Sequence, residues 1–496
     1  MLPRYIQILL AIVLGAVLVL AFAPYAQAWL VVPVVAVFLH LIWQTSTVKQ
    51  ATLLGYAFGL GVMGFGVFWL HISIAQFGGV SLLLAIAATG LFIAVIAVYF
   101  ALFAGLLRIT RHKNIFMLGA APLLWMLVEW LRSWLLTGFP WLSIGYSQID
   151  LPLAGYAPIF GVFGLGALVL LSAGLLNLWR QGWPVIAVLV LWFGGWVLDQ
   201  KEWTEPGGES FQASVLQGNI AQKDKWKRSQ RAETRRRYLE MTQQVKNSRL
   251  VVWPETAIPA FDTEVEDSWL QPIHTRMQQQ QRDLLTGIVV QKADGRYYNA
   301  MISLGVSGRA QYLKRHLVPF GEYLPFKAML APVLGFMQIP MSDFSMGSHE
   351  HKPLMSLAGH QAGISICYED AFGSEVLRAL PEAGYLINAS NDAWFGDSLA
   401  PHQHLQMARM RALEAGRYLL RATNTGISAI IDHRGIVQRR AENFTQATLT
   451  AQIQTRTGVT PYTHWGDVPL LLGALGLLLI LWFVGRRSLK TTELLY

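Results

Sequence analysis

The sequence predicts a polytopic α-helical membrane protein with an inserted α/β domain, and three observations carry that prediction. Hydrophobic residues make up 53% of the 496, mean hydropathy is +0.38 and charged residues are only 14%. That is too apolar for one ordinary soluble domain. The charges are also unevenly placed. Of 39 basic and 30 acidic residues, ten lie in residues 1–200 and four in 471–496, and the rest crowd into the 270 residues between. Finally, this middle stretch alternates short β-favouring runs with polar helical ones, the pattern of a packed α/β domain.

Apolar runs long enough to cross a ~30 Å hydrocarbon core fall near residues 6–22, 27–44, 51–70, 80–107, 115–136, 158–178, 183–198 and 467–485. Basic residues orient them. With the N-terminus inside, the inward loops carry Arg4, Lys49, Arg108, Arg111, Lys113, Arg180, Arg486, Arg487 and Lys490. The outward loops near 23–26, 71–79 and 137–157 carry no Lys or Arg. The expected organisation is therefore seven transmembrane helices in 1–198, a soluble domain outside the cytoplasm in 199–466, and an eighth helix with a cytoplasmic tail in 467–496. Arg4, its apolar run and Ala26-Gln-Ala28 also have the form of a cleavable signal peptide. The run is long, so an uncleaved first helix is expected. Glu129 and Arg132 stand at i, i+3 inside an apolar run, where ionisable groups are costly. An internal ion pair is the first expectation, and contact with lipid headgroups the second.

In the soluble stretch, strands are expected at Ala213–Gln217, Leu250–Trp253, Leu284–Val290, Ala300–Leu304, Gln311–Leu313, Ala362–Ile366, Tyr385–Asn388 and Ser428–Asp432. Helices are expected near 228–247, 266–281 and 402–417. The only cysteine, Cys367, ends one strand in Gly363-Ile-Ser-Ile-Cys-Tyr-Glu-Asp-Ala-Phe-Gly. It cannot form an intramolecular disulfide. A thiol at a strand's carboxyl end can attack a carbonyl, while backbone N–H groups of the next turn hold the oxyanion. Two other strand-like runs end at Glu255, in Trp253-Pro-Glu-Thr-Ala-Ile-Pro, and at Lys314, in Lys314-Arg-His-Leu-Val-Pro-Phe-Gly-Glu. Proline and glycine then stop each strand. Converging at one sheet edge, Glu255 would take the thiol proton. Lys314 would favour the thiolate and offset charge on a tetrahedral intermediate. Cys367 would carry the acyl group as a thioester.

This Glu, Lys, Cys order resembles the nitrilase (carbon-nitrogen hydrolase) superfamily. The phrases around the three residues, with Asn391-Asp-Ala-Trp-Phe-Gly, Gln406-Met-Ala-Arg-Met-Arg-Ala-Leu-Glu and Leu420-Arg-Ala-Thr-Asn-Thr-Gly-Ile-Ser-Ala, resemble its membrane-bound branch, the apolipoprotein N-acyltransferases, over essentially the whole chain. The resemblance implies a nitrilase-like αββα sandwich in the periplasm of a Gram-negative-type bacterium, anchored in the inner membrane. It also implies an acidic residue that supports Lys314 and the substrate.

Glu322, eight residues after Lys314, is the candidate for that role, against the plainer reading of a solvated loop carboxylate. Glu369 is either a further site group or a cap on the following helix. The N–H of Tyr368 is a candidate oxyanion donor. Trp226 and Trp394 would line an acyl-chain channel or simply fill the core. His402 and His404 look like a metal pair, but i and i+2 do not share a helix face and no ligand stands beside them at zinc spacing. No metal or cofactor is expected. Arg235-Arg-Arg237 reads as the wet face of a helix. Residues ~326–341 are strongly apolar, rich in Met and broken by Pro and Gly. A loop lying on the membrane and admitting lipid chains explains them best.

Three functions compete. The first is an acyltransferase that takes a fatty acyl chain from a phospholipid onto Cys367 and passes it to an amine. The others are a membrane-tethered amidase or nitrilase, and a transporter or receptor whose domain has lost its chemistry. Intact reactive residues disfavour the last. The amidase has no use for the preceding spans. The resemblance points to the first, with phosphatidylethanolamine as donor and the diacylglyceryl-cysteine of an apolipoprotein as acceptor. A monomer and no nucleic-acid partner are expected.

Overall fold

The computed structural model describes residues 3–110, 112–325 and 343–493, and the chain divides into two compact units. One comprises Met1–His71, Leu83–Lys201 and His464–Tyr496, and the other Ile72–Leu82 and Glu202–Thr463. The expected apolar loop at ~326–341 lies outside the described residues.

The first unit is helical. A helix stands at each apolar run: α1 (Arg4–Val19), α2 (Val31–Trp43), α3 (Val48–Gly66), α5 (Leu82–Leu107), α6 (Ala121–Trp134), α7 (Ala157–Leu176), α8 (Trp183–Asp199) and α12 (Val468–Glu493). Three continuous helical stretches, Leu82–Leu107, Lys113–Thr137 and Pro152–Leu176, are long and apolar enough to cross a membrane. A fourth candidate is broken. After α3 the chain bends by 56° into α4 (Leu70–Phe77), so the expected loop at 71–79 is partly helical.

Small residues let α1 and α3 touch. A Cβ at Gly15 would lie 2.2 Å from the Phe58 carbonyl oxygen, and one at Gly61 would lie 2.1 Å from that of Ile12. Glu129 and Arg132 pair inside the unit at 3.8 Å, both buried. Arg132 also donates to the Trp141 carbonyl (2.6 Å), and the Ile144 N–H donates to Glu129 (2.8 Å). The pair thus pins the chain that returns after α6.

The second unit is built on two six-stranded sheets packed face to face, beside a short antiparallel pair of Glu205–Pro206 with Arg456–Thr457. The strands are β1 (Phe211–Gln217), β2 (Leu250–Val252), β3 (Asp283–Gln291), β4 (Tyr297–Gly305), β5 (Gln311–Leu313), β6 (Leu354–Leu357), β7 (His360–Ile366), β8 (Tyr385–Ser390), β9 (Leu419–Thr423), β10 (Ala429–Ile431), β11 (Val437–Arg440) and β12 (Ala447–Ile453). One sheet has the order β12-β1-β2-β3-β4-β5 and the other β11-β10-β9-β8-β7-β6.

Val215, Val252 and Leu285 from the first sheet meet Ile364, Ile387 and Leu420 from the second. Burial of each such side chain contributes about 1.5–3 kcal/mol. Helices α9 (Arg231–Gln244) and α10 (Gln271–Gln279) cover the outer face of the first sheet through Tyr238, Met241, Ile273 and Met277. Helix α11 (Ala400–Ala415) covers the second through Leu405, Ala408 and Ala412. The layers are therefore helix, sheet, sheet, helix. Strands β2, β3 and β8 are covered on both faces and buried along nearly their whole length, so they do not alternate polar with apolar residues. Strands β6, β9, β11 and β12 are additional to those expected from sequence.

Candidate active site

Glu255, Lys314 and Cys367 follow the carboxyl ends of β2, β5 and β7, and the structure brings them into one buried group. Lys314 Nζ lies 3.6 Å from Glu255 Oε1 and 2.9 Å from Glu322 Oε2. Glu322 is thus drawn into the site rather than left in solvent, and its Oε2 also accepts from the Val318 N–H at 2.8 Å. Asn299, on β4, joins the two carboxylates. Its Nδ2 donates to Glu255 Oε1 (2.6 Å) and to Glu322 Oε1 (2.8 Å). Sequence reasoning missed Asn299 because an Asn inside an apolar strand gives no signal of the face it occupies.

The buried Lys314 ammonium is held well above the usual lysine range. Burial opposes this, but the Glu322 and Glu255 carboxylates outweigh it. Lys314 is therefore a fixed cation. The Cys367 thiol moves up, chiefly through burial and then through the Glu255 charge, against a smaller pull from Lys314. Lys314 pulls toward the thiolate but is outweighed by burial and by the Glu255 charge. The sulfur is stored as a thiol beside a carboxylate that can take its proton.

Cys367 has φ +52°, a left-handed conformation that is strained for a residue with a Cβ. Surrounding contacts enforce it. Asn388 Nδ2 donates to the Cys367 carbonyl (3.2 Å). Glu369 acts as a clamp: its Oε2 accepts from the Ile366 N–H (2.7 Å), and its Oε1 from the N–H groups of Arg315 (2.7 Å) and His316 (3.1 Å). The Tyr312 hydroxyl donates to both oxygens at 2.9 Å. Glu369 therefore ties the residue after Lys314 to the residue before Cys367. Burial pushes its carboxyl up to about 6 against these N–H groups, leaving it ionised at neutral pH.

Tyr368 packs edge-on to Phe372 (4.9 Å between ring centroids), and His316 stacks on Phe372 at 3.8 Å, so the nucleophile's turn is walled by aromatic rings. Trp226 is half-buried against the Val289, Leu317 and Phe344 cluster. Trp394 is half-buried, and its carbonyl accepts from the Ser73 hydroxyl at 2.6 Å.

Behind the turn lies a charged network that sequence reasoning also missed. Arg421 donates to Asp370 (2.9 Å) and Asp392 (3.0 Å), and His404 bridges the same two carboxylates at 2.7 and 3.0 Å. All four are buried. The two ring nitrogens of His404 are thus occupied by Asp370 and Asp392. Among the described residues no group of three or more His, Cys, Asp or Glu is placed to hold a metal ion.

Similarity to known proteins adds a second line of argument. The family model for the apolipoprotein N-acyltransferase N-terminal domain matches residues 14–175, and that for carbon-nitrogen hydrolase matches residues 212–462. The chain is 44% identical over 495 residues to the apolipoprotein N-acyltransferase of Methylococcus capsulatus, covering 98% of this chain and 97% of that one. It is 43% identical to that of Nitrosomonas europaea, covering 98% and 99%. Among solved structures, Saccharomyces cerevisiae Nit3, of the nitrilase superfamily, aligns with 50% of this chain and 91% of its own, at 16% identity and a TM-score of 0.39.

Proposed function

The chain belongs to the apolipoprotein N-acyltransferase family, and on that premise we propose that it acylates lipoproteins through a thioester on Cys367, with Glu255 as general base and Lys314 as the fixed cation. The activity is that of an acyltransferase on a carbon-nitrogen hydrolase scaffold. The observation that supports this mechanism is the placement of the Lys314 ammonium between Glu255 and Glu322, with a protonated thiol in their field.

In the first half, Glu255 takes the proton from Cys367 as the sulfur attacks the ester carbonyl of a phospholipid, phosphatidylethanolamine being the proposed donor. The carbon–oxygen bond breaks, Glu255 returns the proton to the leaving alkoxide, and a lysophospholipid departs. In the second half, the α-amine of a diacylglyceryl-cysteine attacks the thioester. An amide forms, the carbon–sulfur bond breaks, and the proton shed by nitrogen returns through Glu255 to sulfur. Lys314 offsets the negative charge of each tetrahedral intermediate. Two bulky substrates then use one site in turn. The basic-residue pattern of the loops supports placing the α/β unit in the periplasm, with the helices in the bacterial inner membrane.

Incubation of the detergent-purified enzyme with phosphatidylethanolamine carrying isotope-labelled acyl chains tests this. The peptide containing Cys367 should gain a labelled acyl group by mass spectrometry, and a diacylglyceryl-cysteine peptide added next should remove it as an N-acyl product. Release of the label only as free fatty acid would make the protein a hydrolase and sink the proposal.

A further inference from the structure

Lys225 is a second buried lysine at this site, and the mechanism above does not use it. It closes a short helical turn, Gln222–Lys225, whose seat is fixed from the other sheet. Asn391 Nδ2 donates to Gln222 Oε1 (2.9 Å), the Ile220 N–H donates to Asn424 Oδ1 (2.9 Å), and Asn424 Nδ2 donates to the Ile220 carbonyl (2.8 Å). From this seat Lys225 Nζ donates to the Thr256 hydroxyl at 2.6 Å and to the Glu255 backbone carbonyl at 3.2 Å.

The turn that it grips is strained. Thr256 has φ +46°, a conformation that a β-branched residue adopts only when its surroundings impose it. From the opposite side, β3 presses on the same turn at Gly287. A Cβ there would lie 2.2 Å from the Thr256 nitrogen and 2.6 Å from the Pro254 carbonyl oxygen. Glycine on one side and an ammonium on the other thus hold the backbone that carries the general base.

We propose that Lys225 is a positioning residue of the acyl-transfer reaction: its ammonium locks the Glu255–Thr256 turn so that the carboxylate faces the sulfur, and places a second positive charge beside both. The inference rests on the thioester mechanism. The charged group that acts on Lys225 is the Glu255 carboxylate, which favours its protonated form, as Cys367 does once ionised. Burial outweighs them and draws its pKa down to about 8. The clamp is therefore present below that pH and released above it. Lys314, which lies against the Glu255 carboxylate and not its backbone carbonyl, keeps its proton throughout.

The test measures single-turnover acylation of Cys367 by labelled phosphatidylethanolamine in the full-length enzyme. Lys225→Met should slow acylation about a hundredfold with unchanged membrane insertion. Lys225→Arg should keep most of the rate and move the alkaline fall, near pH 8 in the wild type, to higher pH. Thr256→Ala should lose about tenfold, the worth of one hydrogen bond to a charged group, while Thr256→Ser, which keeps the oxygen, should not. These small changes carry the test if Lys225→Arg does not fold.

Wild-type rates in Lys225→Met, equal rates in Thr256→Ala and Thr256→Ser, or an alkaline limb unmoved in Lys225→Arg would each overturn the proposal. Absence of any adduct on wild-type Cys367 would end the thioester mechanism, and this inference with it.

Discussion

The proton on Cys367 is the central fact at the scale of single residues. A sulfur whose ionisation is pushed up by burial and by the Glu255 charge carries little thiolate near neutrality, so attack depends on Glu255 taking the proton as the bond forms. Glu255→Gln should then lower the rate of Cys367 acylation by roughly 10²–10⁴-fold at pH 7. The remaining rate in that variant should climb with pH, about tenfold per unit, because only the spontaneously ionised fraction reacts below the raised thiol pKa. The wild type, with its base in place, should not show that climb. Single-turnover acylation measured from pH 6 to 9 decides the matter, and a flat profile in Glu255→Gln would mean that another group takes the proton. Asn299 belongs to the same circuit. Asn299→Leu leaves the two carboxylates without the amide that joins them, and acylation should fall by at least about tenfold for the loss of hydrogen bonds to charged groups.

Between elements, the site depends on how strand ends are tied together. Glu369 accepts from the backbone at both the β5 and β7 ends, and from the Tyr312 hydroxyl as well. Glu369→Gln would turn an amide N–H₂ toward those donors. It should lower the melting temperature and slow acylation together, at a cost of about 1–3 kcal/mol. Thermal unfolding and acylation of the same preparation check this, and a stable but inactive variant would make Glu369 a substrate group instead of a clamp. The strand ends were legible in the sequence because apolar β-favouring runs stop at Pro or Gly just past Glu255, Lys314 and Cys367. Strand β9 was not, because Arg421 sits in its middle, and a buried arginine is indistinguishable from a surface one until Asp370 and Asp392 are placed around it. Strand β12, Ala-Thr-Leu-Thr-Ala-Gln-Ile, is only half-covered and lacks the apolar run that marked the interior strands. Lys225 was hidden in the same way: in Gln-Lys-Asp-Lys-Trp-Lys-Arg it reads as one of several solvated lysines, and only the fold buries it.

Across the whole α/β unit, the network behind the nucleophile joins segments far apart in sequence and makes stability depend on pH. Asp370 follows β7, Asp392 follows β8, His404 lies on α11 and Arg421 on β9. Burial and the Arg421 charge act to lower the His404 pKa, but the Asp370 and Asp392 carboxylates raise it to about 9, above the 6.5 of a free imidazole. Asp392 is in turn held well below the usual carboxylate range, because Arg421 and His404 outweigh its burial. A histidine whose folded pKa is raised contributes stability that is fully present below about pH 6.5 and lost as pH climbs through about 9. The contribution is on the order of 3 kcal/mol. The unit should therefore melt at a lower temperature at pH 9 than at pH 6.5, and the drop should be much smaller in His404→Gln, which cannot titrate. His404→Gln should also be the less stable protein at pH 6.5, since Asp370 and Asp392 then lose the His404 cation between them. Differential scanning calorimetry of both proteins in one detergent across this range tests the linkage. An equal pH dependence in both would show that the network holds a neutral histidine and that the charge balance behind Cys367 is set elsewhere.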